Sequence, residues 1–250
     1  MAVSVNKVYQ TVLRLCNKEK RGFLTPKEFN LFADTAQMDI FEQYFFDLSQ
    51  HKRRSGNSTE HSDPRDIIED KISYFHVPNF SGNATPLNAF GDVDVSGAFA
   101  DLYRITQVRT LSPFTNKFYV AEEVPLESMA TFTNSKKFTF VNNEKFPIFA
   151  KYDLDGQRIK IRPAPPQVGS AAAISYIRRP HRPKWTYVIV ADRPYYNASA
   201  ADHQDFELHS SEYNNLVNKI LMMAGVTIGN QAIAQAAAAE DNKSIQQEKL

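Results

Sequence analysis

The residue types in this sequence that could do chemistry are few, and they do not converge on one pattern. His203 and His209, together with Asp202 and Asp205, form the densest group of possible metal ligands. A spacing of six residues puts two histidines on different sides of a helix, and the surrounding segment lacks helical periodicity. We therefore expect these side chains to bind no metal.

Three other candidates have simpler structural interpretations. Asp153, Asp155 and Gly156 resemble the start of a calcium loop, but the later oxygen ligands and the closing glutamate are missing. An Asp-Gly pair between two alternating runs predicts a hairpin turn instead. Cys16, the single cysteine, lies on an apolar stripe and is interpreted as a core residue. His181 lies between two Arg-Pro pairs, which favours a surface position.

The common enzyme motifs are also missing from the sequence. There is no Gly-rich phosphate loop, no G-x-S-x-G elbow, no H-E-x-x-H pair and no paired cysteine. We expect neither catalytic activity nor a cofactor. The formal net charge is +1, from 29 basic and 28 acidic residues, whereas proteins that grip nucleic acid usually carry a large basic excess. Lys52, Arg53 and Arg54 are interpreted as part of an exposed polar loop over residues 49–66.

Composition indicates a folded protein, since 42% of the 250 residues are hydrophobic and 23% are charged. The first residues lack the apolar segment of a secretory signal, and no run approaches about 18 consecutive apolar residues. A lone cysteine is typical of a reducing compartment. We expect a protein made in the cytoplasm, with no membrane partner.

Helices are predicted at both ends of the chain. A stripe of apolar residues predicts the first over about residues 5–18. Thr25, Pro26 and Glu28 have the spacing of a capping box that begins a second, long helix. Near the C-terminus, Ser210 or Ser211 is expected to cap a helix that Gly225 ends, and residues 230–241 predict a last, Ala-rich helix.

Between the helices, short alternating runs separated by Pro, Gly and Asn predict antiparallel β-structure. The predicted strands are residues 103–108, 137–141, 148–152, 158–161, 172–177 and 185–190. The predicted fold is therefore α+β, with a helical bundle formed by N- and C-terminal helices and an inserted antiparallel β domain. Its parts are residues 1–71, 72–200 and 201–250. Five residues are expected to be buried together in the bundle: Phe32, Phe41, Phe45, Leu216 and Ile220.

Five segments carry a resemblance to a known family. They are residues 21–45 (with RGFLTP and FEQYF), 120–127 (VAEEVPLE), 151–165 (KYDLDGQRIKIRPAP), 173–180 (AISYIRRP) and 205–225 (starting DFELH). The last four resemble the β domain, its hairpin, the next strand and the return helix of phage head-to-tail connectors. The first resembles ring proteins of crAss-like, short-tailed phages. Residues 75–99 have no clear counterpart.

The resemblance implies a structural virion protein at the portal–tail junction, made in a bacterial host. Such proteins form a ring, commonly of twelve copies, docked under the portal protein and followed by a further tail ring or nozzle protein. Double-stranded DNA passes through the lumen without specific binding. The family has no catalytic, cofactor or metal residues to carry over.

The family also implies a C-terminal segment that reaches into the portal. Residues 231–250 lie beyond Gly225 and Gly229, and they carry little apolar bulk with which to fold back onto their own subunit. The expected portal-docking residues are Gln231, Ile233, Gln235, Ile245 and Leu250.

Three other functions stay open from the residues alone. One is a different tail-ring or capsid-associated virion protein built from similar modules. Another is a nucleic-acid-binding module that uses residues 52–54 and the basic run 178–182. A hydrolytic enzyme is the least favoured.

Overall fold

A computed structural model describes residues 3–16, 24–53, 64–78, 85–94, 100–134, 145–152, 158–166, 168–169, 171–228, 235–240 and 242–243. The chain divides into two compact units. One combines Met1–Tyr74 with Pro180–Leu250, and the other is Phe75–Arg179. Among the described helices, none is both long enough and apolar enough to cross a membrane.

The main helices described in the first unit are α1 (Val5–Cys16), α2 (Pro26–Arg53), α3 (Pro64–Ser73) and α5 (Tyr213–Ile228). Helix α5 packs against α1 and α2, and α3 packs against α2. The predicted stripe of α1 is confirmed, because Val5, Val8, Tyr9, Val12 and Cys16 are all buried. Of the five residues expected in the bundle core, three are buried and two partly buried: Phe41, Leu216 and Ile220, then Phe32 and Phe45.

The capping box that begins α2 is confirmed. The Thr25 amide donates to Glu28 Oε2 at 2.9 Å, and the Glu28 amide donates to Thr25 Oγ1 at 3.3 Å. The Thr25 hydroxyl also donates to Glu28 Oε2 at 2.7 Å. These hydrogen bonds lower the pKa of the Glu28 carboxyl, since they stabilise its charged form.

Removing this cap tests its contribution. We expect Thr25→Ala to lower the free energy of unfolding by about 1 kcal/mol, measured by urea unfolding at neutral pH. A carboxyl whose pKa is lowered in the folded state stabilises the protein above its unfolded-state pKa, and this stabilisation is lost as the pH falls through the folded-state pKa. The difference between Thr25→Ala and wild type should therefore shrink on acidification. If the difference in free energy of unfolding between the two proteins stayed constant as the pH fell, this prediction would be contradicted.

Two helix ends differ from the prediction. The expected loop over residues 49–66 is wrong at both ends, because α2 continues to Arg53 and α3 begins at Pro64. Helix α2 can continue through residues 49–53 because they contain no Gly or Pro. Basic residues are also favourable in the last turn of a helix. Gly225 does not end α5, which continues to Ile228. Packing of Leu221 and Ala224, both buried, overrides the low helix propensity of one glycine.

The second unit is built on an eight-stranded sheet. Its strands are β1 (His76–Val77), β2 (Thr85–Pro86), β3 (Asp92–Asp94), β4 (Leu102–Leu111), β5 (Phe118–Glu123), β6 (Ile148–Lys151), β7 (Arg158–Arg162) and β8 (Ala171–Arg178). The order across the sheet is β1-β8-β4-β5-β6-β7-β3, and β2 also pairs with β8. Inward-facing residues of these strands form one core, including Val108, Ile159, Ile161 and Ile174.

The predicted fold class is wrong. The protein is mixed α/β, because β5 and β6 are parallel and helix α4 (Leu126–Asn134) lies between them in sequence. Parallel neighbours need a crossover connection, commonly a helix, and no helix was predicted there. The first unit is also not a plain helical bundle. It contains a two-stranded sheet within residues 187–196 and an isolated bridge between Val3 and Phe206.

Several predicted strands are confirmed inside this different architecture. Strands β6 and β7 pair antiparallel, with Ile148 opposite Arg162, as the Asp-Gly hairpin pattern predicts. Strands β4 and β8 contain the runs 103–108 and 172–177. The turn at 153–157 and the predicted strand at 137–141 lie outside the described residues. Residues 180–200, assigned from sequence to the β domain, lie in the first unit.

Candidate assembly surface

A short hairpin in the first unit has an unusual surface. It consists of β9 (Tyr187–Val190) and β10 (Arg193–Tyr196), which pair antiparallel. Ala191 and Asp192 join them with φ of 49° and 60°, the left-handed conformation that a two-residue type I′ turn requires at both positions. This turn has the right twist for adjacent strands, so it holds the hairpin in register.

One face of this hairpin is almost wholly apolar and exposed. The register places Val188 opposite Tyr195 and Val190 opposite Arg193, so these four side chains share a face, called here the hairpin face. Val188, Val190 and Tyr195 are 50%, 55% and 55% exposed. Three large apolar side chains grouped on one exposed face are typical of a surface that another molecule covers.

The two edges of the hairpin differ. The Asn197 amide donates to the Thr186 carbonyl at 2.9 Å, and the alternation of an antiparallel ladder then directs the backbone groups of Ile189 and Pro194 outwards. Pro194 has no N–H, so the outer edge of β10 is a poor template for another strand. Within the described residues β9 pairs only with β10, which leaves the outer edge of β9 open.

Trp185 fixes the base of the hairpin to the helices. Its side chain is 1% exposed, and its indole Nε1 donates to Asn6 Oδ1 of α1 at 3.1 Å. Asn30 of α2 makes two hydrogen bonds to the Trp185 backbone, accepting from its amide at 2.9 Å and donating to its carbonyl at 3.1 Å. The segment that leads into the hairpin is therefore tied to two helices.

Aromatic packing extends this anchor. The Trp185 ring lies 4.0 Å from the Tyr9 ring, and it stacks on Tyr187 and Tyr196 at 5.6 and 5.9 Å between centroids. Burial, and then the nearby Tyr187, raises the pKa of Tyr9 to about 12, because both disfavour the charged phenolate. On the side opposite the hairpin face, the basal residues Tyr187 and Tyr196 are thus held against Trp185, whereas Ile189, nearer the turn, is 65% exposed.

The histidines considered as metal ligands have structural contacts. His203 Nε2 lies 2.8 Å from the Tyr196 hydroxyl and 3.9 Å from Asp205 Oδ1. Asp205 in turn accepts from the Val5 amide at 2.8 Å, which places a carboxylate at the start of α1. His209 caps the short 3-10 turn at Ser210–Glu212, a role that sequence reasoning gave to a serine.

His181 belongs to a second polar network. Its ring Nδ1 and its backbone amide contact the two carboxylate oxygens of Glu207, at 2.9 and 2.8 Å. The fully buried side chain of Gln37 donates to the His181 carbonyl at 2.7 Å and accepts from the Glu207 amide at 3.0 Å. The described residues contain no cluster of three His, Cys, Asp or Glu side chains placed to hold a metal ion.

Comparison of the sequence with protein-family models and with curated proteins identifies no relative of this chain. No family model matches the chain, and no curated protein is significantly similar to it.

The expected portal-docking residues fall mostly outside the described part of the chain. Gln231, Ile233, Ile245 and Leu250 are not described, whereas Gln235 lies exposed on a helical segment at 235–240. Ala237 of that segment is buried, so the segment packs against its own subunit at this position. Of the basic run, Lys52 and Arg53 lie in the last turn of α2, and Arg54 is outside the described residues.

Sequence reasoning missed the hairpin face. The run 185–190 was predicted to be a strand, but β10 and the turn before it were not. Ala191-Asp192 is a weak turn pattern compared with Asn-Gly or Asp-Gly. The one available indication was the apolar run Val188–Val190 followed at once by Asp192 and Pro194, both of which are disfavoured in central strands.

Proposed function

We propose that this chain is a structural subunit of the connector ring between the portal and the tail of a phage particle. The hairpin face is the observation that carries the proposal. Its apolar side chains are exposed while its base is rigidly anchored, and such surfaces are typical of proteins that assemble with others. The resemblance of four segments to phage head-to-tail connectors, and of a fifth to phage ring proteins, supports a ring as the kind of assembly.

The chemistry of the side chains supports an assembly role over a catalytic one. His181, His203 and His209 each contact groups that hold the fold together. The near-zero net charge suits a ring through which DNA passes, because each neutralised phosphate adds a salt-dependent attraction that would slow transit. The proposed partners are other copies of this chain, the portal protein and the next tail ring or nozzle protein.

Deleting residues 231–250 tests the proposed portal contact. We expect a folded subunit, by circular dichroism, that no longer cosediments with portal-bearing capsids, so that particles lack tails or leak DNA. The reason is that this segment is the proposed element that reaches into the portal. Normal attachment of tails with the truncated subunit would contradict the proposal.

Point variants separate docking from folding in this test, since Ala237 is buried in its own subunit. Gln235→Lys changes an exposed position within the segment, and we expect weaker cosedimentation with portal-bearing capsids at an unchanged melting temperature. Gln10→Lys, at an exposed position of α1, is the matched control and should bind as wild type does. Equal binding by both variants would count against docking through residues 235–240.

A further inference from the structure

We infer that the hairpin face of one subunit docks on an exposed stripe of helix α2 in a second copy of the chain. The inference rests on the proposed ring and specifies how neighbouring subunits would meet in it. It follows from the charges and exposure of the two surfaces, both of which lie in the first unit.

The second surface is a continuous face of α2. Leu31, Thr35, Asp39, Glu42 and Phe46, called here the α2 stripe, recur at spacings of three and four residues, so they lie on one side of the helix. All five are exposed, and Leu31 and Phe46 reach 64% and 53%. A helix that exposes more than half of both a leucine and a phenylalanine carries an apolar surface that its own subunit covers only in part.

The charges of the two surfaces are complementary. Arg193, the one charged residue of the hairpin face, is exposed, and Asp39 and Glu42 lie between the two apolar ends of the α2 stripe. In the part of the chain that the structure describes, these three side chains have no ion-pair partner. A cation beside Val190 can therefore meet two carboxylates while the apolar side chains cover one another.

Neither surface is complementary to itself. Two hairpin faces in contact would offer Arg193 no carboxylate, and two α2 stripes would bring four carboxylates together. A contact between different patches is head-to-tail, and repetition of such a contact closes a ring when the rotation between copies allows it. The occupant that fits the hairpin face is thus the α2 stripe of a neighbouring copy.

Engineered cysteines can trap this contact, because Cys16, the single native cysteine, is buried. Val190→Cys places a thiol on the hairpin face, and Thr35→Cys places one on the α2 stripe without altering a charge. Mixed at about 100 µM with a mild oxidant, the two variants should form the mixed disulfide dimer faster than either alone forms its own dimer. The control partner is Gln10→Cys, which is exposed on α1 outside the stripe.

Charge reversal then tests the ion pairs. Arg193→Glu in the Val190→Cys chain should slow formation of the mixed dimer about tenfold, the effect of losing a pair and gaining repulsion. Glu42→Arg in the Thr35→Cys partner should restore the rate. Arg14→Glu, another exposed arginine of the first unit, should have no effect.

Two outcomes overturn the inference. One is a mixed dimer that forms no faster than with the Gln10→Cys control. The other is preferential dimerisation of Val190→Cys with itself, which indicates pairing of two β9 edges. Failure of the connector role can be distinguished from failure of this inference. If the mixed dimer forms but the subunit does not bind the portal, only the connector role is contradicted. Portal binding without the mixed dimer contradicts the inference alone.

Discussion

Replacing Trp185 by alanine is expected to lower the free energy of unfolding by about 3–5 kcal/mol. The indole is 1% exposed and lies 4.0 Å from the Tyr9 ring, so its loss opens a cavity between the hairpin and the helices. It also leaves the side-chain Oδ1 of the partly buried Asn6 without the hydrogen bond from Nε1. The lost packing and the lost hydrogen bond both act where the hairpin meets the helices, so we expect a large effect from this single substitution.

Two further variants separate the contributions at this site. Trp185→Phe keeps an aromatic ring but removes the N–H, and we expect a smaller loss of about 1–3 kcal/mol. Tyr195→Ala, an exposed aromatic of the same hairpin, is the matched control and should change stability by less than about 0.5 kcal/mol. Unfolding is followed by circular dichroism and not by tryptophan fluorescence, because Trp185 is the only tryptophan and two of the variants lack it. Equal losses for Trp185→Ala and Tyr195→Ala would refute the anchoring role.

The anchor also connects stability to the proposed assembly. Tyr187 and Tyr196, at the base of the hairpin, stack on the Trp185 ring. Without that ring the hairpin face loses its fixed orientation, and ordering it on a partner then costs conformational entropy. We therefore expect Trp185→Phe to leave formation of the mixed cysteine dimer nearly unchanged and Trp185→Ala to slow it.

Breaking the ion pair between Lys71 and Glu212 is expected to cost about 3–5 kcal/mol. Lys71 Nζ lies 2.5 Å from Glu212 Oε1, and the two side chains are 17% and 4% exposed. The pair joins α3 to the 3-10 turn that precedes α5, and Asn215 donates to the other carboxylate oxygen at 2.8 Å. Lys71→Met keeps most of the side-chain volume but leaves the Glu212 carboxylate buried without its cation.

A double-mutant cycle tests this interpretation. Lys71→Met combined with Glu212→Gln removes both charges, and we expect it to be more stable than Lys71→Met alone. Lys151→Met is the control, because its pair with Glu123 at 2.9 Å is far more exposed and should contribute at most about 1 kcal/mol. If Lys71→Met is no more destabilising than Lys151→Met, the buried pair does not hold α3 to this turn.

Local patterns in the sequence predicted local structure well. The capping box of Thr25 and Glu28, the buried stripe of α1 and the pairing of β6 with β7 all depend on residues close together in the chain. Each of these features forms within one helix end, one helix face or one turn, so the spacing of nearby residues is enough to predict it. The fold class depends on longer-range pairing and was predicted wrongly. The parallel contact of β5 with β6 requires the crossover through α4, which is preceded by Val124-Pro125 and so lacks a Ser, Thr, Asp or Asn cap to mark its start.

Burial is what the sequence by itself left undetermined in the candidate site. The sequence determined that Val188–Val190 form a strand and that α2 is a long helix, because both depend on local periodicity and capping. Only the tertiary structure decided that this apolar strand lies in an exposed hairpin while the polar side chains of Gln37 and Glu212 are buried. The reason is that burial depends on which distant segments pack together, and the nearest neighbours in sequence do not specify that packing.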